Sequence, residues 1–499
     1  MAKSTIFAAQ NTNIMDKKKL LPLLALLAVV LYFTLRNQGE EETIQTEASV
    51  VKGEVEVKIL AVNDIHANID LFPKFATMVD SLKMFYPDLL VFSAGDNRTG
   101  NPVNDQYEPV NYPVIELMNQ TGFAVSAVGN HEWDANIDNF QHDIERAKFP
   151  FICANVFVPD TVNLDIKPYI VLENQGIKLA VVGAIELRHD GIPGAHPNNL
   201  KKVSFKPAMK VLPDYQYLKN ETNAFILLSH CGLEDDLDLA QAYPWIDAII
   251  GGHTHTLIGF PSLTNGVLIT QSGSHLEYAT LITLKFKDGK LVDKSAIIMD
   301  VNKVQNEKPE IKHLIDEFND APALNEAIAV AKTKFETPQE LGCMLTDAIR
   351  EISGADFAFQ NTGGIRITHL KKGPITVKDV YKIDPFDNDV VMYQMTGEQV
   401  KKFIINSYKK NGGYPSYVSG MTYEVSDDGK RINVFIRPDH GNYGKNTIYK
   451  VAFNNYMAST INIESVDEGR SMFMTSEEML IEYLHRHKTV DYQGIERTK

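Results

Sequence analysis

The run VEVKILAVND (residues 55–64) decides the fold, because it is an apolar strand that stops on an asparagine–aspartate pair. Two runs of the same kind follow, PDLLVFSAGD (87–96) and GFAVSAVGNH (122–131). IKLAVVGAIE (177–186), NAFILLSHCG (223–232) and WIDAIIGGHTH (245–255) continue the series. Each is near-continuously apolar, as a strand buried on both faces must be. Helical patterns, such as that from Ile115 to Thr121, fall between them. The alternation predicts a layered α/β domain.

The strand ends carry the chemistry. They read Asp64 and His66, then Asp96, then Asn130 with His131, then His230, then His253 and His255. One strand ending on aspartate is ordinary. Five ending on Asp, Asn or His converge on a site, since ligands of α/β sheets gather beyond the carboxyl ends of the strands. If the strands stay extended to their ends, Asp64 and His66 point the same way, as do His253 and His255. Nearby glycines allow the short loops to approach closely. Mixed oxygen and nitrogen donors without cysteine suit manganese, zinc, iron or cobalt and argue against a closed structural zinc site. His131 and Asp134 are three residues apart, so a helix beginning there lets the aspartate orient the imidazole. Glu132 reads as a solvated or structural neighbour.

The chain has 499 residues, enough for two domains plus a short extra segment. A net charge of −15 argues against coating a nucleic-acid polymer. It leaves small anionic substrates open, because bound metal makes a local positive field. Cys153, Cys231 and Cys343 form no paired motif and read as buried free thiols. Lys17, Lys18 and Lys19 precede an apolar run from Leu20 to Leu35, and Arg36 and acidic residues follow. That is the layout of an export signal, here without a cleavage site, and it predicts a periplasmic or cell-surface protein held by an N-terminal membrane anchor. Residues 1–52 thus read as anchor and linker, 53–305 as the metal-bearing domain, 306–337 as a charged helical connector opened by Pro309, and 338–499 as a second α/β domain. The second domain has its own strands, 356–364 and 387–396, and turn clusters at 411–415 and 426–430.

These motifs, N-D-I-H, G-D, G-N-H-E-x-D, S-H and G-G-H-T-H, resemble the 5'-nucleotidase family of dinuclear metallophosphoesterases over roughly residues 55–460. That family includes UDP-sugar hydrolases and 2',3'-cyclic-nucleotide phosphodiesterases. The resemblance implies two divalent ions. Asp64, His66 and His255 would bind one, Asn130, His230 and His253 the other, and Asp96 would bridge them. His131, oriented by Asp134, would contact the phosphoryl group. A bridging carboxylate offsets the repulsion of two close cations, and the ions lower the pKa of a water nucleophile.

The resemblance extends to substrate. Asn361-Thr-Gly-Gly364-Ile-Arg366 is similar to the family's N-G-G-G-I-R motif, with Thr362 in place of one glycine. Asp384-Pro-Phe386-Asp-Asn388 is similar to its P-F-G-N turn, whose phenylalanine stacks on a nucleobase. Tyr456 aligns with the second stacking aromatic. Two features depart from the pattern. No G-G-D-G-Y segment follows Tyr456, and Lys332, Lys334 and Phe335 stand where arginines are usual. The implied activity is hydrolysis of 5'-nucleotides or related phosphate esters. A cyclic-nucleotide phosphodiesterase or UDP-sugar diphosphatase is the alternative, and a non-catalytic surface binding protein the remote one.

Overall fold

The apolar runs alternate their side chains between two different partners. In the strand Glu54–Val62, Val57, Ile59 and Ala61 face a second sheet, while Leu60 and Val62 face helices. The strand Ile177–Ile185 does the same in the second sheet, with Leu179 and Val181 inward and Ala180 and Val182 outward. Two sheets back to back, each covered by helices, satisfy both faces. This computed structural model describes residues 53–188, 191–261 and 263–499. The apolar run Leu20–Leu35 lies outside the described residues. Among the described residues no helix is long and apolar enough to cross a membrane.

The first sheet orders its strands 290–300, 278–287, 54–62, 90–93, 125–127 and 151–152. The second orders 263–264, 267–270, 248–250, 224–230, 177–185 and 169–174. The central strands are parallel in both, 54–62 with 90–93 and 224–230 with both 177–185 and 248–250. Helices 72–85, 112–121 and 136–146 cover the first sheet, and 233–242 the second.

The helix opened by Pro309 runs only to Asn319, and its Ile311, Ile315 and Phe318 pack into the first domain's core. Residues Ala327–Ala331, inside the stretch read as helical connector, instead form a strand. It pairs with 373–376 and with 489–490 of the second domain. That domain centres on a sheet ordered 417–419, 357–360, 448–454, 389–396 and 470–475. Helices 338–353 and 476–487 pack on one face and 397–410 on the other. Thr337 and Glu340 form a capping box on the first of these, behind Pro338, and left-handed Gly354 ends it. Cys153, Cys231 and Cys343 are free and buried.

The two sheets of the first domain are joined tightly at Gly183. A Cβ there would lie 2.2 Å from the carbonyl oxygen of Ile152, at the edge of the other sheet. Gly183→Ala should therefore cost about 1–3 kcal/mol, read as a lower urea midpoint at unchanged slope; an unchanged midpoint would mean that the backbone yields freely.

Candidate active site

The backbone at the strand ends is not extended. The first strand stops at Val62, and Asp64 (φ 49°) and His66 (φ 48°) are left-handed. So are Asp96 (φ 53°), His253 (φ 75°) and His255 (φ 55°). Left-handed turns, rather than strand alternation, aim these side chains together. Each costs about 1–2 kcal/mol at a residue with a Cβ, and such strain gathers at functional sites. The loops touch closely enough to demand glycine. A Cβ on Gly129 would sit 2.2 Å from Asp96 Oδ1, and one on Gly252 would sit 2.9 Å from His230 Nδ1.

The structure brings three groups of donor atoms together: Asp64, His66 and His255; Asp96, His230 and His253; and His66, Asp96 and His131. His66 Nε2 is 3.0 Å from His255 Nε2, and His255 Nε2 is 3.4 Å from Asp64 Oδ1. Asp96 Oδ2 is 3.1 Å from His230 Nε2, and His253 Nδ1 is 3.0 Å from Asn130 Oδ1. Donors about 2.1 Å from a cation stand about 3–3.4 Å apart at ordinary coordination angles. These spacings fit that figure. Buried His230 Nε2 faces the Asp96 carboxylate at 3.1 Å, and a cation held between the two would satisfy both. The far sides of the ligands are held: Asn63 Nδ2 donates to Asp64 Oδ2 at 2.6 Å, and His66 Nδ1 and His230 Nδ1 face the carbonyls of Thr99 at 3.0 Å and Ala94 at 2.7 Å. Such outer partners fix tautomer and aim. Burial and then His230 push His253 down to about 4, and burial and Arg366 hold His66 well below its usual value. Both are thereby kept neutral, the form that binds metal.

His131 Nδ1 lies 2.6 Å from Asp134 Oδ2, in a short 3₁₀ turn that follows the third strand. Burial opposes protonation of His131, but the Asp134 and Asp96 carboxylates outweigh it and raise its pKa. Glu132, between them, is buried rather than solvated. It accepts the backbone N–H groups of Asp96 at 3.0 Å, Asn97 at 2.8 Å and Gly129 at 2.6 Å. It thus clamps two ligand loops together. Burial, and next the Asp96 charge, push its carboxyl up to about 7.

A cavity of about 820 Å³ opens in front of these groups, between the two domains. Asn361, Gly364, Arg366, Phe386, Asn388 and Tyr456 all line it. Arg366 Nη2 reaches to 3.5 Å from His66 Nε2, and its guanidinium lies 5.8 Å from the Phe386 ring centroid. Phe386 stacks beside His131, centroids 6.0 Å apart. Gly364 has a packing reason: a Cβ there would lie 2.2 Å from Gln360 Nε2. Arg188, absent from the sequence reading, also lines the cavity and donates to Tyr456 Oη at 2.7 Å. Its signal was available. The strand 177–185 is parallel to 224–230 and ends at the same edge, yet its end carries no motif. Buried Glu186 follows it, accepting Gly194 N–H at 2.5 Å. His196 and Asn455 were likewise missed and line the same wall.

A double sheet between helices, with clustered Asp, His and Asn at one edge and a second domain closing over them, is the architecture of a metal-dependent phosphoester hydrolase. Residues 57–257 match the calcineurin-like phosphoesterase family, and residues 321–462 match the 5'-nucleotidase C-terminal domain. The chain belongs to the 5'-nucleotidase family of metallophosphoesterases. It is 26% identical over 473 residues to protein UshA of Yersinia enterocolitica, covering 81% of this chain and 84% of that one. It is 25% identical over 470 residues to the trifunctional nucleotide phosphoesterase YfkN of Bacillus subtilis, but spans only 32% of that protein's length. A 5'-nucleotidase of Vibrio parahaemolyticus is 26% identical over 70% of this chain and 72% of its own. Among solved structures, a 5'-nucleotidase precursor from Thermus thermophilus shares the fold with a TM-score of 0.77 at 22% identity, over 89% of this chain and 99% of that one.

Glu132→Ala leaves three buried N–H groups without an acceptor. Each costs about 1–3 kcal/mol, so a loss of roughly 3 kcal/mol or more in urea unfolding is expected. A loss below about 1 kcal/mol would show that water replaces the carboxylate.

Proposed function

We propose that Asp64, His66 and His255 hold one divalent ion, that Asn130, His230 and His253 hold a second, and that Asp96 bridges the two. The observation that carries this is the position of Asp96 Oδ2, 3.1 Å from His230 Nε2 and 4.0 Å from His66 Nε2, between the two ligand groups. The donor set suits manganese, zinc, iron or cobalt. When bound, such ions supply Lewis acidity toward phosphoryl oxygens and activate a water as nucleophile.

The chain's own side chains do the rest. Asp134 holds the Nδ1 proton of His131, so Nε2 faces the space before Asp96, from which it is 3.9 Å. There it donates to a phosphoryl oxygen as negative charge grows. Arg366 offers a planar fork to the same oxygens. Phe386 and Tyr456 receive an aromatic group in the cavity, and Asn361 and Asn388 bound it. The substrates we infer are 5'-nucleotides or related phosphate esters, a reading supported by the relatives named as nucleotidases and by the two aromatics in the cavity. The missing G-G-D-G-Y segment, together with Arg188 at the Tyr456 end, keeps UDP-sugars and 2',3'-cyclic nucleotides as a second reading. A binding protein without turnover is disfavoured by a complete set of donors. Export and N-terminal anchoring rest on Lys17–Leu35 alone.

Asp96→Asn should abolish phosphate release and weaken binding of Mn²⁺ by calorimetry; near-normal turnover would remove the bridging assignment. Asp134→Asn should lower kcat about 100-fold with little change in KM. In steady-state assays with Mn, Zn and Co, Phe386→Ala should raise KM for AMP about tenfold, within the usual worth of base stacking, and leave an aryl phosphate unaffected. Equal effects on both substrates would count against stacking.

A further inference from the structure

We propose that Glu477 is the positioning residue of the nucleoside subsite, joining the Phe386 turn to the segments that carry Asn361 and Tyr456 through one buried hydrogen-bond chain. This rests on the reading that Phe386 and Tyr456 receive the base. Glu477 belongs to no motif and begins the helix Ser476–His487, outside the cavity. Its Oε1 accepts the N–H of Asp387, the residue after Phe386, at 2.9 Å. Its neighbour Ser476 receives nothing from solvent either: its N–H donates to the Asn388 carbonyl at 3.0 Å, and its hydroxyl donates to Asp384 Oδ2 at 2.8 Å. The whole turn 384–388 is thereby gripped from one helix N-terminus.

The chain then continues inward. Asp384 Oδ2 accepts from Gln360 Nε2 at 3.2 Å, and Gln360 Oε1 accepts from Asn454 Nδ2 at 2.8 Å. Asn454 Nδ2 also reaches Asn361 Oδ1 at 3.0 Å, and its own Oδ1 caps the helix bearing Tyr456 through Met457 N–H at 2.8 Å. Gln360, Asp384, Asn454, Ser476 and Glu477 are all 0% exposed. No water reaches these groups, so each depends on the next. Moving any one link moves both aromatics.

Glu477 serves as a neutral acid. Its Oε2 faces the Ser476 hydroxyl at 3.4 Å, the same hydroxyl that donates to Asp384 Oδ2, and two carboxyls buried side by side do not both ionise. Asp387, Glu478 and Tyr381 are among the ionisable groups that crowd the pair. Burial, and next the Asp384 carboxyl, raise Glu477 well above the usual carboxylate range, in agreement with this geometry. A glutamine reproduces a neutral acid: its carbonyl accepts from Asp387 and its amide donates to the Ser476 hydroxyl.

Steady-state kinetics on AMP and p-nitrophenyl phosphate with Mn²⁺ test the proposal in the full chain. Glu477→Leu should raise KM for AMP about tenfold, with kcat and the aryl phosphate parameters within about twofold of the parent. Glu477→Gln should restore the AMP KM. Should Glu477→Leu fail to fold, Gln360→Leu cuts the chain at its next link and should give the same split. Equal damage on both substrates, an unmoved AMP KM, or a glutamine variant as impaired as leucine would overturn the proposal. A normal Phe386→Ala effect with silent Glu477 variants overturns this inference alone. No AMP turnover by the parent, or a silent Phe386→Ala, overturns the stacking reading with it.

Discussion

Two carboxylates, Asp64 and Asp96, are buried at the same edge of the sandwich, 0% and 2% exposed, and this constrains everything around them. A buried anion is tolerated only against positive charge or dense hydrogen bonding. The surrounding groups divide that work. His230, His131 and His66 hold Asp96 well below its usual pKa despite its burial. Asn63 and the His253 N–H hold Asp64. Divalent cations, which calcineurin-like phosphoesterases use, would neutralise the remainder if held by these groups. The same burial that makes the bare site costly makes it strong when loaded, because little solvent screens it.

The strain at the ligands follows from that requirement. Extended strands diverge at their ends, so two sheets alone cannot converge seven side chains on one point. Left-handed backbone at Asp64, His66, Asp96, His253 and His255 turns them inward. The Glu132 clamp, Gly129 and Gly252 then hold the loops closer than ordinary packing allows. The apolar cores on both faces of each sheet resist the strain, and so the site sits on strand ends rather than on free loops.

Sequence legibility follows the range of each interaction. The central strands were readable because each is apolar without interruption, and the donor residues because each falls just where such a run stops. The geometry behind them was not: the strand-alternation argument placed Asp64 with His66 correctly but by the wrong backbone. The strand Ala327–Ala331 was hidden because it is short and follows a genuine helix, so its pairing with 373–376 and 489–490 leaves no periodic trace. Glu132 read as a solvated or structural neighbour, and the choice stayed open because its partners, the N–H groups of Asp96 and Asn97, are distant in sequence. Arg188 and Glu477 act across still longer separations.

The second domain completes a site that the first cannot finish alone. The first domain presents the clustered donors and His131, and its Arg188 lines the cavity at the Tyr456 end. Arg366 brings a guanidinium from the other domain to 3.5 Å from His66 Nε2. Its backbone N–H is held at 2.8 Å by Ile383, at the root of the Phe386 turn. Arg366 is tied to this turn through the Ile383 carbonyl, while the Gln360–Asp384 bond holds the aromatic side. On the proposed reading, a substrate that fits the aromatics would meet a guanidinium already placed for its phosphoryl group. Binding energy from the remote part of the ester would then act alike in the ground and transition states, lowering KM and leaving kcat nearly unchanged.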